Sequence, residues 1–149
     1  MVSLPDCGQK LTTIVRRLMP MSDTTTRTGI ASLGTVVIDC ADPPALADFY
    51  SKVCGWTVSS GSEPSWAQID NPDGGPAVAF QRVEGEFNPP EWPGTEHPQQ
   101  FHLDFFVPDL DEAEGRVLEI GATKAEFQPG KSFRVFLDPS GHPFCLCKD

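Results

Sequence analysis

The chain predicts an α+β fold made of two βαβββ modules, and three observations carry that prediction. Asn71-Pro72-Asp73-Gly74 recurs 67 residues later as Asp138-Pro139-Ser140-Gly141. Asp42 recurs at the same offset as Asp109, and Gly55 recurs as Gly121. Between these markers the apolar pattern passes from strand to helix and back to strand in the same order twice. A repeat at fixed spacing is one supersecondary unit built twice and packed on itself. Two copies facing each other also leave a cleft between equivalent walls, a common place for a small-molecule site.

Each element follows from local chemistry. Leu33 to Cys40 is rich in β-branched residues and reads as a strand. Asp42 can cap a helix whose first turn tolerates Pro43 or Pro44. Leu46, Phe49, Tyr50 and Val53 follow at helical spacing, and Gly55 stops the helix. Trp56 to Ser59, Trp66 to Asp70 and Pro76 to Val83 read as three strands, the last two joined by the Asn71-to-Gly74 turn. The first module is therefore residues 33–83.

Val83 to Gln100 contains four prolines and no period, so it reads as a linker or a loop over the surface. Trp92 within it gains nothing from solvent and is expected to pack on something, as the lid of a pocket. The second module, residues 101–148, repeats the order. Phe101 to Val107 is a strand, Asp109 caps a helix with the stripe Leu110, Ala113, Val117, Leu118 and Ile120, and Gly121 ends it. Thr123 to Phe127, Phe133 to Leu137 and Pro143 to Cys147 are the remaining strands. Trp66, Phe80, Phe106 and Phe136 are candidates for the β-core.

The chain has 149 residues, enough for one domain with a real core. Its formal charge is −10, which repels phosphate backbones and anionic lipid, so neither nucleic acid nor membrane is expected as a partner. No run of about 18 apolar residues is present. The five cysteines (Cys7, Cys40, Cys54, Cys145, Cys147) lack the spacing of a disulfide framework. Reduced thiols and a cytoplasmic setting are expected. Residues 1–30 lack the unbroken apolar core of a secretory signal, and a poorly ordered extension is expected there, with Met21 as an alternative start to Met1.

Three motifs, V-V-I-D-C-A-D-P-P-A-L-A-D-F-Y-S-K-V-C-G-W at 36–56, F-H-L-D-F-F-V-P-D-L-D-E-A at 101–113 and F-L-D-P-S-G-H-P-F-C-L at 136–146, occur in order in two matched halves. Together, over roughly Ser32 to Lys148, they resemble the glyoxalase / bleomycin-resistance / extradiol-dioxygenase group, the vicinal oxygen chelate superfamily, in its glyoxalase-like branch. The resemblance implies one curved, eight-stranded mixed sheet around a pocket, and commonly a homodimer. It also implies that metal-using members take four ligands from inward-facing strand positions, two per module. Those positions are Thr35 and His102 on the first strands, Cys145 on the last strand, and Ala79 or Gln81 on the fourth.

That set departs from a metal-binding pattern. His102 is a good ligand and Cys145 a soft one, but Gln81 is weak, Thr35 is weaker, and no carboxylate occupies any of the four places. No cofactor is therefore expected, and a divalent metal would meet an incomplete ligand set.

His102 is the histidine on an inward-facing strand. It reads either as a hydrogen-bonded core residue or as a pocket acid or base. Asp104, two residues on, shares its strand face. Cys145 and Cys147 share a face of the last strand and read first as small apolar core residues, with a soft-metal or redox role as the sharper alternative. His97 and His142 read as loop and turn residues.

The expected ligand-binding set is Thr35, Gln81, His102, Asp104, Cys145 and Trp92, with His102 as the catalytic group. Two functions compete, beside the plainer reading of a module with no small-molecule role. One is a small-molecule enzyme of lyase or isomerase type working without metal. The other is a drug- or metabolite-sequestering protein holding a flat or cationic guest between aromatic walls.

Overall fold

The structure, a computed structural model, describes residues 30–149. The expectations for residues 1–29 lie outside the described residues. The element order is β1 (Thr35–Cys40), α1 (Pro43–Cys54), β2 (Thr57–Val58), β3 (Trp66–Asp70), β4 (Ala77–Arg82), β5 (Leu103–Val107), α2 (Leu110–Glu119), β6 (Thr123–Lys124), β7 (Phe133–Leu137) and β8 (Pro143–Lys148). These are two βαβββ modules. In each, the first and fourth strands pair in parallel and the remaining pairs are antiparallel. The eight strands form two four-stranded mixed sheets, β1-β4-β3-β2 and β5-β8-β7-β6. Hydrogen bonding thus divides the eight strands four and four, and leaves β1 and β5 as edge strands.

The helix signals act as their chemistry demands. The Asp42 carboxylate accepts from the Ala45 N–H and starts α1, and Gly55 ends it at φ 70°, where a side chain would be strained. The Asp109 carboxylate accepts from the Asp111 and Glu112 N–H groups and starts α2. Three expectations about the core fail. Trp66 is half-buried outside both core clusters, because the buried face of β3 is Ala67 and Ile69. Leu118 is exposed because it sits one residue, about 100° of helix, beyond the buried Val117. Phe106 is half exposed because neighbours on a strand point to opposite faces. Phe105 takes the core side, and Phe106 faces away from it on an edge strand.

The main core joins the modules through their helix-covered faces. Tyr50 stacks on Phe80 of its own module at 5.4 Å, and Phe49 meets Phe144 of the other module edge-on at 5.9 Å. At the centre the buried Tyr50 hydroxyl donates to Asp138 Oδ2 at 2.9 Å. Burial, and next the Asp138 charge, hold that hydroxyl well above its ordinary pKa. The same carboxylate accepts from the Ser140 and His142 N–H groups, so the Asp138-to-Gly141 turn fastens module 2 to α1 of module 1. No helix among the described residues is long and apolar enough to cross a membrane.

Two outcomes follow. Tyr50→Phe should lower unfolding stability by about 1.5–3 kcal/mol, the size of a hydrogen bond to a charged group. Asp138→Ala strands the hydroxyl, the imidazole and two N–H groups, and should cost about 3–5 kcal/mol. Urea denaturation measures both, and equal losses from the two variants would refute the shared role of Asp138.

Acid should also weaken the fold. Backbone bonds from Glu112 and Asp111 hold Asp109 below its ordinary 3.8, and Lys124 holds Glu114 below its ordinary 4.5. A carboxyl with a lowered folded-state pKa contributes stability above its unfolded value and loses it as pH falls through the folded value. Urea curves should therefore show full stability above about pH 4.5 and a decline below it. Asp109→Ala should flatten that decline.

Candidate functional site

A groove of about 650 Å³ runs between the modules, on the side where β1, β4 and the start of β5 meet the 84–100 loop. Its size suits a small organic molecule. The β1–β4 register explains what reaches it. Asp39 pairs with Gln81 and Thr35 with Ala77, so Thr35 and Asp39 share a strand face but lie four residues apart. At about 3.3 Å per residue that separation is about 13 Å. Asp39 and Gln81 line the groove, and Thr35 does not.

His102, immediately before β5, lines the groove from module 2. It is partly buried, and its Nε2 is 3.4 Å from Asp104 Oδ1. His142 follows Gly141 and projects from the turn into the same groove. Its Nδ1 lies 3.0 Å from Asp138 Oδ2 and its Nε2 lies 2.9 Å from the Asp39 carbonyl. Both ring nitrogens therefore face oxygen atoms, one on each module. His97 enters from the loop, its Nδ1 3.5 Å from Glu91. All three histidines of the chain therefore line one groove. Glu96 adds a second carboxylate, and Tyr50, Phe87, Phe101 and Leu103 supply apolar wall.

Sequence reasoning missed Asp39, Tyr50, His97 and His142. His142 beside a Pro-Ser-Gly turn looks like a solvated residue, and only the docking of the turn on β1 gives it a place. Tyr50 fell within an apolar helical stripe. Its hydroxyl, which requires a partner when buried, was the available signal.

The 84–100 loop is seated rather than suspended. Phe87 lies against His142, ring centroids 5.4 Å apart. Gly141 has φ 93°, and a Cβ there would approach Pro89 to 2.8 Å, so both the turn and the loop above it require glycine. Trp92 packs on the small cluster of Ala125, Phe133, Val135, Cys145 and Cys147, on the sheet face away from the main core. It therefore covers Cys145 at the inner wall. The space among Trp92, Gln99, His102, Val135 and Cys145 does not admit a water molecule. Trp92 Nε1 and Gln99 Oε1 are both buried there without a partner. Each such group costs about 1–3 kcal/mol.

The four places implied for metal ligands do not assemble into one set. Gln81 faces the groove, Cys145 faces the filled space behind it, His102 touches both, and Thr35 touches neither. Nor does the space beside Cys145 have room for a coordinated water. These donors do not fit a hard divalent ion, which takes several oxygen ligands and usually keeps water.

A second cleft of about 670 Å³ opens between α1, α2 and β5. Its walls combine apolar Val53, Leu103, Val117 and Ile120 with charged Lys52, Asp104, Arg116 and Glu119, so Asp104, expected in the groove, faces this cleft instead. The groove differs from it in bringing three histidines, carboxylates and an amide together.

Comparison with known proteins agrees with this architecture. A glyoxalase/bleomycin resistance protein/dioxygenase family enzyme from Burkholderia phytofirmans PsJN superposes with a TM-score of 0.59 at 23% identity, covering 79% of this chain and 98% of that one. The oxidase ChaP-H2 superposes at 0.56 with 21% identity, covering 81% and 95%. A glyoxalase/bleomycin resistance protein from Albidiferax ferrireducens T118 gives 0.54 with 17% identity, covering 78% and 98%. At these identities the likeness is one of fold. No curated protein matches the chain. The family model for the glyoxalase-like domain matches residues 35–147, which spans both modules, and the chain belongs to that family.

Proposed function

We propose that the protein binds a small organic molecule in the inter-module groove and that His102 is its principal polar contact. The observation that carries this reading is the convergence of three histidines, Asp39 and Gln81 on a groove whose other walls are apolar. Such a mixture of apolar wall and few polar groups is how proteins hold and orient small ligands. His102 is half open to the groove and has a carboxylate beside it, so it can move a proton to or from a bound guest. Any reaction of lyase or isomerase type would use that imidazole and no hard divalent ion. The solved structures of this fold include proteins described as an enzyme and as a bleomycin resistance protein, so the fold alone does not choose between the two readings.

Sequestration has support of its own. Asp39 and Glu96 line the groove beside Phe87 and Phe101, and the whole chain carries −10. That combination suits a flat cationic guest through field and ring contact. A thermal-shift screen of aromatic cations, thiol adducts and antibiotics should yield a ligand. His102→Ala and Gln81→Ala should then each weaken its binding by about 1–3 kcal/mol in calorimetry. A ligand bound equally well by both variants would place the site elsewhere. Chemical turnover of that ligand, abolished by His102→Ala, would decide for an enzyme over a sequestering protein.

A homodimer in the cytoplasm completes the reading. Leu33 ahead of β1 and Phe106 on β5 leave large apolar side chains exposed beside both edge strands, outside the groove. A second copy would cover them and close the edges. Sedimentation equilibrium at micromolar concentration should give twice the 16.2 kDa chain mass, and a mass of one chain would refute the dimer.

A further inference from the structure

Behind His102 lies a second set of reactive parts. The His102 imidazole, the Asp104 carboxylate and the Cys145 sulfur come within 4.8 Å of one another. A thiol with an imidazole and a carboxylate in this range has the components of an activated nucleophile. Cys147 supplies an internal comparison. It lies two residues further along the same strand and under the same cluster, but its partner across the β5–β8 ladder is Phe106, where that of Cys145 is Asp104.

The cover over this set is unusual in its energetics. Trp92 and Gln99 close the space beside Cys145, yet bury a donor and an acceptor that nothing in that space satisfies. Buried polar groups are nearly always paired. Lifting the loop would return both groups to water, so this segment opens at lower cost than the main core. Opened, the same Trp92 N–H and Gln99 carbonyl can hydrogen-bond polar atoms of an incoming molecule.

We propose that Cys145 is a nucleophilic thiol for soft carbon electrophiles, activated by His102 and gated by the Trp92 segment of the 84–100 loop. In the step, the Cys145 sulfur forms a bond to the electrophilic carbon, the leaving group departs with its bonding pair, and His102 takes the thiol proton. Iodoacetamide is a suitable probe, because iodide leaves and no oxidant or reductant is needed. The proposal adds to the groove reading and is tested apart from it. Labelling needs no groove ligand, so a groove that binds nothing leaves the expected rates unchanged.

The test is timed labelling of the full folded chain with iodoacetamide, read by peptide mass spectrometry at each cysteine. Cys40 is the slow reference, because burial pushes its thiol up to about 11. Cys145 should label at least about tenfold faster than Cys147, as a raised thiolate fraction dictates, and Cys147 faster than Cys40. His102→Gln should bring Cys145 down to the Cys147 rate and leave Cys147 unchanged. Trp92→Ala should raise both Cys145 and Cys147 several-fold. Trp92→Phe, which keeps the packing and drops the orphaned N–H, should slow both, and it serves if the alanine variant does not fold. Equal rates at Cys145 and Cys147 in the parent chain, or no response of Cys145 to His102→Gln, would overturn the proposal.

Discussion

The Asp138 carboxylate is the constraint on which the rest depends. It is the one fully buried charged side chain in the described core, and four different groups converge on it. Tyr50 reaches it from α1, the Ser140 and His142 N–H groups reach it from its own turn, and the His142 ring closes over it. A buried carboxylate with this many donors is tolerable, and with any one removed it becomes costly. Because the donors come from both modules, the cost of breaking the node is the cost of separating them. His142 then continues the chain of contacts to the Asp39 carbonyl on β1. The groove is bordered by this network, so its shape is set by the joint between modules rather than by a mobile surface.

The repeated turn shows how duplication and specialisation coexist. In module 1, Asn71 accepts from the Asp73 N–H and the turn is exposed, so it does nothing beyond reversing the chain. In module 2 the corresponding Asp138 keeps that local bond to Ser140 and adds the long-range ones. An amide could make the local bond equally well. Only a carboxylate offers enough acceptor capacity for the hydroxyl and the imidazole as well. The same asymmetry appears on the faces away from the main core. Module 1 leaves Gln81 and Val37 open, whereas module 2 covers its cysteines with the 84–100 loop.

That loop fills the inner wall of module 2. The inner wall of module 2 is occupied by Trp92 against Val135 and Cys145, which leaves no space for a hydrated ion. What remains accessible is an organic-sized groove with imidazole, amide and carboxylate groups at its edge.

How much was legible beforehand follows from the range of each interaction. The caps at Asp42 and Asp109, the stop at Gly55 and the bounds of β3 and β7 were read from the chain, because each depends on neighbours within a few residues. The two modules and their order followed from the same local signals, repeated. His102 and Gln81 were picked out because strand alternation fixes a face, whereas Asp104 lines the second cleft and meets the groove only through His102. Alternation does not fix position along the strand. Thr35 therefore shares a face with Asp39 but stands about 13 Å from it, and the β1–β4 register alone decided which of the two borders the groove. The tertiary structure likewise decided that His142 and His97 join His102, that Trp92 closes the inner wall instead of the mouth, and that the strands divide four and four. Each of these is a contact between segments many tens of residues apart. No local propensity encodes such contacts, because they exist only once the two cores have packed and the loop between them has found its seat.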